Sequence, residues 1–357
     1  MGPFGTGEGR AFSRHRLLEG RGEGRIPVRT SQERRSGLRP RCFRAGAVRE
    51  QARSYRSSLA LGLALILGSV TASAQDYRNC ARTWQIDHPP QRILALNQHA
   101  ADLLLALGAG ERLIGVAYID DDLDLTKGSY RGVPLLSRQY PSAEAVYAQR
   151  PDLVVAGFAS AFRLGNLSRE ELAGHGVASY LLDAGCGVWQ DDLFAGVETD
   201  LKTLGDLLGE QERAQDLIRR QRAELAEARR LSTGRQLLDV FYLDSASNGL
   251  ESQGRRGVVT QLLHAAGAHN LFEDVDLGGF TANSEQLLAR DPDVILLADA
   301  LWSTAGQKIR TLRADPVLSR LRAVREGRFV ALPFTHLFPG VHSGQAAREL
   351  AQELGRY

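Results

Sequence analysis

The stretch SAEAVYAQRPDLVV (142–155) returns later in the chain as NSEQLLARDPDVIL (283–296). Overlaid, Glu144 meets Glu285, Ala148 meets Ala289, and Pro151-Asp152 meets Pro292-Asp293. A second pair matches as well: LLLALGAGERLIGV (103–116) aligns with QLLHAAGAHNLFED (262–275). Each of these reads as an amphipathic helix stopped by a glycine, Gly108 or Gly267, the usual residue past a helix C-terminus. A chain that writes one small helix-and-strand plan twice is constrained to fold as two similar halves. The first half carries the longer insertion, which includes DDDLDLTKGSYRG (120–132), rich in loop residues.

Short apolar runs surround these units: RILAL (92–96), RLIGV (112–116), DLVVA (152–156) and SYLLD (179–183), then QLLDVFYL (236–243), DVILLAD (293–299) and RFVALP (328–333). They are continuous rather than alternating, as strands are when a parallel sheet is covered on both faces. Their alternation with helical patterns predicts an α/β fold of two Rossmann-like lobes with parallel sheets. Between the lobes, Leu193, Val197, Leu201, Leu204 and Leu208 repeat at helical spacing, as do Leu217, Leu225 and Leu231. Gly209 is expected to break this segment in two. The predicted organisation is an N-terminal lobe over 75–208, a bridging helix over 209–232 and a C-terminal lobe over 233–357. One long α-helix joining the lobes resists bending, so the crevice between them should close only slightly.

The N-terminus is of a different kind. Residues 1–56 hold 14 Arg and no Lys against 5 acidic residues, too polar to bury a core. Arg53 and Arg56 precede the apolar run LALGLALILGSV (59–70), followed by Ala72-Ser73-Ala74. This is the pattern of a signal peptide over 48–74 cut after Ala74, and the run is too short for a permanent span. Residues 1–47 are then a disordered leader or precede the true start near Val48. Losing a net +9 takes the formal charge from +2 to −7, which argues against nucleic acid as a partner. No later run has membrane length, so a soluble exported product is expected. Two cysteines survive, Cys80 and Cys186. An exported pair more often bridges than binds metal, and a Cys80–Cys186 disulfide is expected, two unrelated free thiols being the other reading.

Ligands of open α/β sheets bind beyond the carboxyl ends of the strands, so the loops leaving strands carry the candidates. In the first lobe these are Asn97, Gln98, His99, Tyr118, Arg138, Tyr140 and Phe158; in the second, Tyr242, Phe280, Trp302, His336 and Phe338. Aromatic rings at such places are more often core than ligand contacts, but Trp302 sits in a polar setting (Asp299, Ser303, Thr304) and could stack on a planar ligand. His99 and His336 could be metal ligands, one per lobe. A metal site wants three or four ligands, so hydrogen bonding to an organic ligand is the stronger reading, with no metal and no cofactor. Arg138 could pair with a ligand carboxylate or phosphate. There is no G-x-S-x-G elbow or P-loop, and Gly108-Ala109-Gly110 follows a helix, the wrong context for a dinucleotide. The chain is therefore not read as an enzyme.

The stretches PPQRILALNQHAADLLLALGAGERLIGV (89–116), SAEAVYAQRPDLV (142–154) and NSEQLLARDPDVI (283–295) resemble the helical-backbone periplasmic binding proteins of ABC importers, across roughly residues 78–354. That family includes cobalamin and iron–siderophore carriers. The stretch 299–334 is also similar to members assigned to deazaflavin-cofactor precursors. The resemblance implies a periplasmic monomer that carries a chelate- or cofactor-sized ligand to an inner-membrane permease dimer. It also implies that one exposed glutamate per lobe, at the positions of Glu144 and Glu285, docks into arginine pockets of the permease. Capping and dipole complementation explain one glutamate at a helix start, but not its recurrence in both lobes. The alternatives are an exported α/β enzyme using His99 or His336 as acid–base in the crevice, a deazaflavin-precursor carrier, or a metal-ion carrier. N-terminal sequencing of the mature protein is expected to begin Gln75-Asp76-Tyr77; another first residue would overturn cleavage after Ala74.

Overall fold

In the computed structural model, which describes residues 74–120, 130–163, 167–187 and 192–357, each of the seven short apolar runs named for the two lobes forms a strand. The expected leader, the signal segment up to Ser73 and most of the 120–132 insertion lie outside those residues. The described chain enters through an antiparallel hairpin, β1 (Gln75–Asn79) and β2 (Arg82–Ile86). The first lobe follows as β3 (Ile93–Ala95), α1 (Gln98–Ala106), β4 (Leu113–Ala117), β5 (Leu135–Ser137), α2 (Ala143–Ala148), β6 (Leu153–Ala156), α3 (Arg169–Gly174) and β7 (Ala178–Leu181). Its five strands are all parallel, in the order β5-β4-β3-β6-β7. Then come α4 (Leu193–Leu208) and α5 (Gln211–Ser232).

The second lobe contains β8 (Asp239–Leu243), β9 (Leu250–Gln253), α6 (Val258–Ala265), β10 (His269–Asn270), β11 (Gly279–Ala282), α7 (Ser284–Arg290), β12 (Val294–Asp299), α8 (Ala305–Ala314), α9 (Arg322–Glu326), β13 (Phe329–Pro333) and α10 (Ser343–Leu354). Its parallel sheet has the order β10-β8-β12-β13, and β9 pairs with β11 in a separate antiparallel ribbon.

The duplicated unit folds in the same way twice. Ser142 caps α2 by accepting the N–H of Ala145, and Asn283 caps α7 by accepting those of Glu285 and Gln286. Glu144 and Glu285 stand exposed in the first turns, where the helix dipole favours a carboxylate. Each helix ends in a left-handed residue before proline, Arg150 at φ 49° and Asp291 at φ 41°. The aspartate after the proline then grips the start of the neighbouring strand. Asp152 accepts the N–H groups of Gln91 and Arg92 at 2.7 and 2.9 Å, and its own N–H donates to Arg92 O. Asp293 accepts the N–H of Asp239 at 2.9 Å and donates to Asp239 O. The Pro-Asp pair is thus a clamp that sets the register of β6 on β3 and of β12 on β8.

Gly209 ends α4 in the left-handed conformation at φ 73°, and α5 runs 22 residues beyond it, about 33 Å at 1.5 Å per residue. The face it buries differs from the leucine stripe read in the sequence. Ala214, Ile218, Gln221 and Ala228 are buried, while Leu217, Leu225 and Leu231 pack at the margins. The helices approach closely on this face: a Cβ added at Gly344 of α10 would sit 3.0 Å from the Gln221 backbone, so the crossing needs a glycine there. One buried cluster runs from Ile93 and Leu104 through Leu201, Leu204 and Ile218 to Val240, Leu296 and Leu350. The linking helices thus share a core with both sheets.

The β1–β2 hairpin, which the sequence reading did not anticipate, seals the β7 edge. Tyr77 donates its hydroxyl to Ser179 O at 2.7 Å, and the Asn79 amide pairs with Leu181 through both of its polar atoms, at 2.8 and 3.0 Å. Cys80, at the hairpin tip, is disulfide-bonded to Cys186, 106 residues away. Replacing both cysteines by alanine is expected to lower unfolding stability by as much as about 4–5 kcal/mol on chain-entropy grounds. Denaturant titration reads this out; an unchanged midpoint would show that the side-chain bonds alone hold the hairpin.

Candidate functional site

An open parallel sheet presents its crevice where the strand order reverses. That point falls between β3 and β6 in the first lobe and between β8 and β12 in the second. At the first, Asn97 follows β3 and is fully buried. Its Oδ1 accepts the N–H groups of Gly157 and Phe158 at 3.0 and 3.4 Å, and its Nδ2 donates to Tyr140 Oη at 3.1 Å. One amide therefore fixes the ends of three strands, because Tyr140 lies just past β5. The Tyr140 ring stacks on Tyr118 at 4.9 Å and 15°, and its hydroxyl is 3.0 Å from Ser160 Oγ. Gln98 is buried too, accepting the N–H of Asp120 at 2.9 Å. Burial pushes the Asp120 carboxyl up to about 6, and burial, then Asp120, raises the Tyr118 hydroxyl.

His99 forms the floor. It is 6% exposed, with Gly157 so close that a Cβ there would sit 1.7 Å from its Nε2. Only glycine allows that contact. The imidazole stacks on Phe338 of the second lobe at 5.2 Å and 15° and meets Phe158 edge-on at 4.8 Å. From Phe338 the chain of rings continues to Phe334 at 4.7 Å and on to Trp302 at 5.4 Å, both edge-on. Trp302 is 51% exposed. The result is an apolar, aromatic-lined crevice with contributions from both lobes, suited to a flat ligand held by its faces.

Of the residues named from the sequence, the structure brings Asn97, His99, Tyr118, Tyr140, Phe158, Phe338 and Trp302 to this crevice. Gln98 supports it from below, and Arg138 is exposed after β5. Two candidates pack elsewhere: Tyr242 lies in the core and the half-buried Phe280 against it. Tyr242 is 1% exposed and donates its hydroxyl to Asp244 at 3.0 Å. Phe280, on the β9–β11 ribbon, is half-buried and packs on Phe272 at 5.2 Å, against the second-lobe core. Both follow or lie on strands, and the sequence does not show which face of the strand they take. His336 does not meet His99. It stacks on His342 at 4.8 Å, its Nδ1 lying 3.5 Å from Glu349 Oε2, too long for a good hydrogen bond. Burial, with His342 adding to it, lowers its pKa. Among the described residues no grouping of three or more His, Cys, Asp or Glu side chains could hold a metal ion. The sequence reading missed Phe334, although it follows β13 by the same strand-end rule.

Burial pushes His99 from 6.5 down to about 4, so the fold holds it neutral. The unfolded chain takes up this proton first, and the native state loses stability as pH falls from 6.5 towards 4. The loss is about 3 kcal/mol at ~1.4 kcal/mol per unit. Asp120, Asp183, Asp200 and Asp244, all raised by burial, act in the opposite sense. The test is therefore the stability difference between wild type and His99→Gln measured at pH 7 and pH 4.5. A constant difference would show that folding leaves the His99 pKa unshifted.

Residues 93–335 match the family described as periplasmic binding protein. The vitamin B12-binding protein of Pectobacterium atrosepticum is 29% identical over 59% of this chain and 72% of its own length. The structure of an ABC-type Fe3+-hydroxamate transport system from Saccharomonospora viridis superposes with a TM-score of 0.64 and 23% identity over 79% of this chain and 99% of its own. A periplasmic heme-binding protein of Pseudomonas aeruginosa gives 0.59 and 27%, over 73% and 91%. The matched residues span both parallel sheets and the helices that link them, and this chain belongs to the periplasmic binding protein family.

Proposed function

We propose that the protein is the substrate-binding component of an ABC importer. In this reading it captures a chelate- or cofactor-sized ligand, an iron–siderophore, cobalamin or similar molecule, and delivers it to a permease dimer in the inner membrane. The supporting observation is the row of rings Trp302, Phe334, Phe338, His99 and Phe158, which crosses from one lobe to the other. Its relatives include proteins named for vitamin B12 and heme, both large and partly flat. Export to the periplasm belongs to this reading. No helix among the described residues is long and apolar enough to cross a membrane.

An acid–base role for His99 fits the site less well, since its imidazole is enclosed by Gly157, Phe158 and Phe338 and stays neutral. Incubation with a cell extract followed by mass spectrometry separates the two classes. A carrier retains one unchanged molecule per chain; a converted molecule would mean an enzyme.

Glu144 and Glu285 complete the proposal. They occupy equivalent first-turn positions, one per lobe, both exposed. The Glu144 backbone N–H, and then the Ser142 side chain, lower the Glu144 carboxyl from its ordinary value. A two-fold permease presents two like contacts, and charge-assisted pairs to arginine would set register and encounter rate. Glu144→Ala combined with Glu285→Ala is expected to leave ligand affinity unchanged and to abolish uptake in cells. Normal uptake by the double variant would leave both residues as helix-start charges only.

A further inference from the structure

Of the 44 basic residues other than histidine, only Lys127, Lys202 and Lys308 are lysines. Lys202 is exposed, whereas Lys308, inside α8, is 2% exposed. A buried ammonium costs several kcal/mol unless its donors are satisfied. Here Nζ donates to Ser303 O at 2.8 Å and also to Ala298 O. Those carbonyls flank a tight turn in which Ala300 and Ser303 exchange backbone hydrogen bonds at 3.3 and 3.1 Å. At its tip stand Leu301 and Trp302, both half exposed. The start of α8 is tied in as well, since the Ala305 N–H donates to Asp299 Oδ1 at 2.8 Å and Thr304 caps the helix. The carboxylates of Asp244 and Asp299 act on the ammonium electrostatically. A guanidinium fork is too wide to place one point charge between two converging carbonyls, which accounts for a lysine in a chain otherwise written in arginine.

We propose that Lys308 is a positioning residue for ligand capture: its ammonium pins both ends of the 299–303 turn and so sets the Trp302 ring against Phe334 at the crevice mouth. Among the described ring–ring contacts Trp302 has one, edge-on to Phe334. The proposal rests on the carrier reading above, in which the ring row receives the ligand.

The test uses the full chain labelled with 5-fluorotryptophan and followed by fluorine NMR. The Trp302 signal is assigned by its absence in Trp302→Phe. Lys308→Met is expected to shift or broaden that signal while those of Trp84 and Trp189 stay in place, which a general loss of stability would not do. Cyanocobalamin, hemin and ferrichrome serve as probes, and whichever binds wild type should bind Lys308→Met about tenfold more weakly, the scale of a displaced aromatic contact. In a Trp302→Ala background the same substitution should cost nothing further, because its effect runs through that ring. Lys308→Gln, which keeps a donor, takes its place if the methionine variant does not fold. An unmoved Trp302 signal overturns the proposal. Trp302→Ala binding a probe like wild type defeats instead the reading of the ring row as the ligand surface, and the NMR result still decides what Lys308 does.

Discussion

The fold depends on how α5 is held. It is gripped between α4 and α10, with Gly344 against Gln221 leaving no room for a larger side chain. The buried cluster crosses from one sheet to the other through these helices. Two sheets joined only by a flexible strand could swing apart without breaking apolar contact. Here any large swing would open a close-packed seam, at roughly 25 cal/mol per Å² of apolar surface exposed. The spacing between the lobes is consequently a property of the core, and so is the spacing between the exposed helix starts that carry Glu144 and Glu285.

The crevice is polar at its base and apolar at its surface. Asn97 spends its whole amide on backbone and on Tyr140, so the strand ends are fixed before any ligand arrives. Beside it burial raises the Asp120 carboxyl to about 6, and His99 is kept neutral. The imidazole at the floor of the ring row thus carries no charge at neutral pH. A low-charge lining gives little attraction to a small ion but does not oppose the desolvation of a large, flat, partly apolar molecule.

Much of this was legible in the sequence because it follows from periodicity and punctuation. The parallel strands appeared as unbroken apolar runs, and Gly108, Gly209 and Gly267 marked helix ends where φ is indeed positive. The duplicated unit was visible, though the purpose of its Pro-Asp pair was not, since the partners of Asp152 and Asp293 lie about 60 residues upstream in sequence for the first. Faces were harder than elements. Tyr242 and Phe280 looked like Trp302 in the sequence, and only tertiary packing separates a ring in the core from one in the crevice. Gln98 and His99 read as loop residues because they are polar, yet they open α1 and are buried. Lys308 left one sign, its rarity, which has no meaning until the carbonyls it joins are seen.

The stack of His99 on Phe338 has a kinetic corollary. The two lobes already touch through these rings, so the ordering entropy of the floor has been spent in folding rather than at the moment of encounter. Capture then requires no slow rearrangement, and competing molecules are sorted by dwell time instead of by arrival. For a carrier, a surface ordered in advance favours retention over release. Unloading it promptly calls for mechanical work from outside, applied where a partner can lever one lobe against the other.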